Sequence, residues 1–165
     1  MRKLIAPFAG LLIAMSLSIA SPTAQATNIG NEGCTPGYWK NHTYNWVEDA
    51  GVLISPNRPI HGGGAFSVSQ PLRGDTFLDA LNYRGGGDAL GAERILLRAA
   101  AAAFLNAAHE GVGYPYRRYT NPLAIVPTVS AAIATGDRQT MLDLAGVLDA
   151  ANNLGCPLNN TVWNG

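Results

Sequence analysis

The stretch at residues 89–108 constrains the fold more than any other. Leu97, Ala101, Phe104, Leu105 and Ala108 recur at three- and four-residue spacing, the period that lines side chains along one face of an α-helix. Five consecutive alanines at 99–103 add high helix propensity, and their small side chains let a neighbouring helix approach closely. Arg94 and Arg98 mark a more polar side. Gly111 offers a C-cap, with His109 placed near the last carbonyls. A helix this apolar needs helical partners, and the sequence supplies two more.

One spans 121–135, with Asn121-Pro122 as a start signal and Gly136 as a stop. Pro127 falls where a continuous helix needs an amide, which predicts a kink or a late start near Thr128. The other runs from a cap at Asp137 to about Asn153. Its residues Met141, Leu144, Ala145, Leu148 and Ala151 share one face, with Asp143 and Asp149 outside it. Gly155 turns the chain out before Cys156-Pro157. A short helix is expected over 75–81. The N-terminal third, with turn residues at 55–59 and glycine triplets at 62–64 and 85–87 that bracket a short segment, reads as loop-rich with a small hairpin around 60–68. The expected fold is all-α: about three main helices under a loop-rich N-terminal cap.

The N-terminus reads as an export signal. Met1, Arg2 and Lys3 precede an apolar run at 4–20, and Ala24-Gln25-Ala26 forms a small-x-small cleavage site. A run of about 17 residues is at the short limit for a membrane span. Cleavage after Ala26 would leave a secreted or periplasmic protein, with 27–165 forming a single domain and no membrane attachment. The signal takes two of the eleven basic residues and none of the eleven acidic ones. The small negative charge that remains offers no field for nucleic acid or anionic lipid.

In an exported chain two cysteines most simply pair. Cys34 and Cys156 lie near the two ends of the mature segment, so their bond would close almost the whole domain. No metal site or cofactor is expected: the three histidines, His42, His61 and His109, lack metal-ligand spacing. The glycine triplets lack the Lys-Ser/Thr that follows a phosphate-cradling loop.

Aromatic residues are densest at 38–46. Tyr38, Trp39, His42 and Trp46 are the candidate ligand-binding residues, because helical spacing would set two indoles on one face beside His42. Such a face could stack on sugar rings. The setting favours a structural role, however, because tryptophans next to a disulfide close a small core, each burying about 150–250 Å². Tyr114, Tyr116, Arg117, Arg118 and Tyr119 form a second cluster, readable as a site for an anionic or planar ligand or as a proline-stiffened loop. His42 with Glu48 or Asp49, or with a hydroxyl such as Thr43, Ser67 or Ser69, could make an acid–base site, although no nucleophile-elbow sequence is present.

The run Gly33-Cys34-Thr35-Pro36-Gly37-Tyr38-Trp39-Lys40-Asn41-His42 resembles the opening of a group of secreted bacterial proteins and extracellular modules with no assigned activity. The stretches from Leu96 to Ala108 and from Leu148 to Leu158 are similar to that group's middle helix and ending; Pro127 and the Tyr116–Tyr119 segment depart from it. The resemblance implies a secreted module and supplies no catalytic residues. The leading expectation is a non-catalytic extracellular module binding a polysaccharide or another cell-envelope component. The alternatives are a small secreted hydrolase using His42, or a self-assembling structural protein.

Overall fold

The structure is a computed structural model and describes residues 29–48, 52–63 and 65–158. The export signal, the cleavage site and Asp49 lie outside the described residues. The described residues contain five α-helices: α1 (Pro36–Asn41), α2 (Phe77–Leu81), α3 (Ala89–Ala108), α4 (Ile125–Ala134) and α5 (Arg138–Asn152). Two strands of two residues each, β1 (Val47–Glu48) and β2 (Val52–Leu53), pair antiparallel with Val47 opposite Leu53. The fold is therefore helical, with a loop-rich N-terminal part. The hairpin falls before the segment where it was expected; there, among the described residues, His61 and Phe66 form an isolated bridge.

Helix α3 is the axis of the molecule. The Asp88 carboxylate caps its start by accepting from the Gly91 amide at 2.7 Å. From Ala99 onward every residue of the helix is buried, so what the sequence shows as one stripe is enclosed on all sides, as for a helix apolar all round. Its principal partner is α5, whose Met141, Ala145, Leu148 and Ala151 face inward. Phe66, Phe77 and Phe104 close the opposite side, with ring centroids 5.0–6.1 Å apart.

Two glycines are required by contact. A Cβ on Gly91 would lie 2.4 Å from the Gly86 backbone, so the second triplet is pressed onto the first turn of α3. A Cβ on Gly33 would meet the Ala151 carbonyl oxygen, which lets the N-terminal strand-like segment lie against α5.

Helix α4 starts at Ile125, after the Asn121-Pro122 signal expected to open it and before Thr128, where Pro127 suggested a late start. Its N-cap is Ala124, and the Thr128 amide makes the first intrahelical bond, to the Ala124 carbonyl at 3.1 Å. Pro127 therefore occupies the first turn, where an amide has no intrahelical acceptor to lose. The two amides that do need partners, on Ile125 and Val126, donate to the carbonyls of Arg117 and Arg118 at 2.9 Å each. At the end of α3, His109 itself is the C-cap: its backbone amide reaches the Leu105 and Asn106 carbonyls.

Cys34 and Cys156 form the expected disulfide across a sequence separation of 122. Beside it, Gly33 donates to the Gly155 carbonyl at 2.9 Å, so the two ends of the domain run antiparallel.

Candidate functional site

The sequence motif at 34–46 divides between a buried network and an outer surface. Thr35 caps α1 through its side chain, accepting from the Tyr38 amide at 3.1 Å, and proline occupies the first helical position. This short helix turns Trp39 inward and leaves Tyr38 and His42 half-buried on its outer side.

Trp39 and Trp46 are both fully buried, which corrects the expectation that they present a stacking face. Seven-residue spacing does place them together, but against the core. The Trp46 indole donates to the Trp39 carbonyl at 2.9 Å, and the Trp39 indole donates to Asn106 Oδ1 at 3.1 Å. Of the four expected ligand residues, only Tyr38 and His42 reach the surface, where Tyr44 joins them. Their rings are in contact: Tyr38 and His42 stack at 4.2 Å, and Tyr44 meets the His42 ring edge-on at 5.6 Å.

Asn106 and Asn152 carry the inner network, and the sequence reading assigned neither a role. Asn106 Oδ1 also accepts from the Cys34 amide at 2.8 Å, while its Nδ2 donates to the Cys34 carbonyl at 2.9 Å and to Asn152 Oδ1 at 3.0 Å. Asn152 Oδ1 accepts from the Tyr114 hydroxyl at 2.8 Å, and Asn152 Nδ2 donates to the Ala99 carbonyl at 2.9 Å. Burial pushes the Tyr114 hydroxyl pKa up, so it remains a donor. Asn106 uses all four of its hydrogen-bonding positions and Asn152 three of its four, in keeping with the rule that buried polar groups are hydrogen-bonded. The opening, middle and closing blocks of the motif thus meet here, around the disulfide.

The second cluster is likewise structural. Arg117 and Arg118 are buried. The Arg117 guanidinium donates to the Tyr114 carbonyl at 3.3 Å, and Arg118 lies 5.2 Å from the Phe104 ring centroid and 5.5 Å from that of Tyr119.

His42 Nδ1 lies 2.8 Å from the Tyr38 carbonyl oxygen. A carbonyl only accepts, so neutral His42 carries its proton on Nδ1 and keeps the Nε2 lone pair. The Glu48 side chain, one expected partner, lies outside the described residues. His109 is fully buried beside Trp39, and its Nδ1 accepts from the Gly111 amide at 3.0 Å rather than donating to helix carbonyls. Burial lowers its pKa from 6.5 to about 4.

A groove opens over the outer face of this arrangement. Its polar end, about 330 Å³, is lined by Thr35 and Lys40 from the motif's opening, Arg98 from α3, and Asp149 and Asn153 from its ending. It continues between α3 and α5 over Ile95, Leu142 and Gly146 as a further 220 Å³, with Arg98 and Asp149 shared by both parts. Among the described residues, Asp149 forms no ion pair with Lys40 or Arg98. Two cations and a carboxylate therefore line one groove with no direct ion pair among them. Gly146, in the middle of α5, has nothing within 4 Å of where a Cβ would be.

Among the described residues, no group of His, Cys, Asp and Glu is arranged to hold a metal ion, and no helix is long and apolar enough to cross a membrane. Comparison with family models, with curated proteins and with solved structures gave no match.

Proposed function

We propose that this is an exported binding module whose ligand lies in the groove between α1, α3 and α5 and presents hydroxyl groups, as a cell-envelope or extracellular polysaccharide does. The observation that carries this reading is the convergence of Lys40, Arg98, Asp149 and Asn153 on one groove without internal ion pairing. Ammonium and guanidinium donate, a carboxylate accepts and an amide does both, which suits a polyol better than an apolar or singly charged ligand. The disulfide is compatible with an oxidising compartment outside the cytosol. The site moves accordingly from the indoles to the groove, with Tyr38, His42 and Tyr44 as a neighbouring aromatic surface.

The test is retention of purified protein on insoluble polysaccharides and on isolated cell envelopes. Lys40→Ala and Asp149→Ala should each reduce retention at least fivefold while leaving the melting temperature within a few degrees. Absence of retention on every matrix, or retention unchanged in both variants, would overturn the proposal.

The tautomer of His42 favours a second reading, a hydrolase in which Nε2 takes a proton from water or a substrate hydroxyl. Activity screening with wild type and His42→Asn decides it: turnover that persists in the variant, or none in either, removes this role.

A further inference from the structure

The geometry points to a second ligand site, for a small oxyanion, in the cavity between the 61–73 segment and α4. This cavity of about 320 Å³ shares no lining residue with the groove. Its polar side chains include His61, Ser67, Arg73 and Ser130, set against apolar Val68 and Ile133.

The hydrogen bonds already made there leave these side chains as donors. His61 Nδ1 accepts from the Val68 amide at 3.3 Å, so neutral His61 carries its proton on Nε2. Ser130 Oγ accepts from the Ser67 amide at 3.0 Å, which leaves its hydroxyl hydrogen free to turn elsewhere. Arg73 Nε is anchored on the Val68 carbonyl at 3.3 Å, and its two terminal amino groups stay available for forked recognition of an oxyanion. The nearby carboxylate, Glu93, is buried, accepts from the Ser69 amide at 2.7 Å and is not among the residues lining this cavity. A fixed cation, an imidazole N–H and serine hydroxyls facing an apolar wall are the complement of a carboxylate, sulfate or phosphate group.

The experiment titrates purified protein with inorganic phosphate, sulfate and acetate against chloride at constant ionic strength, reading the backbone amide resonances of residues 67–69. Saturable shifts with at least one oxyanion are expected. Phosphate and sulfate alone would identify a tetrahedral ligand, and acetate as well would extend it to carboxylates. Arg73→Gln should weaken binding at least fivefold, with Arg73→Lys intermediate. Ser130→Ala also removes the bond to the Ser67 amide, so the two variants of Arg73, an exposed side chain, carry the decision. No saturable shift beyond chloride, or binding unchanged in Arg73→Gln, would overturn the proposal. Retention on polysaccharide does not bear on it, since the groove residues are left untouched.

Discussion

At the scale of single residues, the Asn106 side chain makes four hydrogen bonds, reaching Cys34, Trp39 and Asn152. Replacing it with leucine keeps the size and strands several buried polar groups, each costing about 1–3 kcal/mol. Asn106→Leu is therefore expected to lose at least about 3 kcal/mol in denaturant unfolding. Trp39→Ala should lose about 3–5 kcal/mol, whereas Tyr44→Ala, on the surface, should change stability by less than about 0.5 kcal/mol. His109 sets a pH dependence. Its folded pKa of about 4 lies below the ordinary 6.5, so between these values the unfolded chain binds more protons and stability rises with pH. It is fully present above pH 6.5 and is lost as pH falls towards 4, by about 3 kcal/mol. The His109→Asn variant keeps an acceptor for the Gly111 amide, and its pH–stability profile should be flatter across that interval.

At the scale of elements, α4 makes a test of where proline is harmless. Pro127→Ala should shift stability by less than about 1 kcal/mol, because the first turn has no amide bond there to restore. Val129→Pro, two residues further and buried, should cost about 3 kcal/mol or more. Helices α3 and α5 were legible in the sequence because their apolar residues repeat over four or more turns between recognisable caps. The start of α4 was not, since the rule against proline holds for helix interiors and the helix boundary depends on the Arg117 and Arg118 carbonyls, which accept from its first two amides. Spacing showed that Trp39 and Trp46 belong together. It could not show which way that pair faces, because the decision lies with Asn106, more than sixty residues away. The groove was invisible for the same reason: Lys40, Arg98 and Asp149 come from three distant segments, and no local pattern links them. Gly146 adds an element-scale test. Alanine there fits without contact and should stabilise α5 by about 0.5–1 kcal/mol, yet a methyl group in the groove should weaken retention on polysaccharide.

At the scale of the whole molecule, the disulfide spans nearly the entire described domain. The chain-entropy relation gives about 5 kcal/mol for a loop of that size, a large share of a stability that is typically about 5–15 kcal/mol. Reduction should lower the melting temperature sharply, and intact-mass analysis of oxidised protein should show no free thiol. The clasp also settles how the domain meets force. Cys34 and Cys156 have Cα atoms 4.4 Å apart, so tension entering along the chain outside them passes through the sulfur bridge and never reaches the helices between. Stretched at its two ends while oxidised, the domain behaves as a link that does not lengthen; once reduced, it becomes an unfolding spacer of more than a hundred residues.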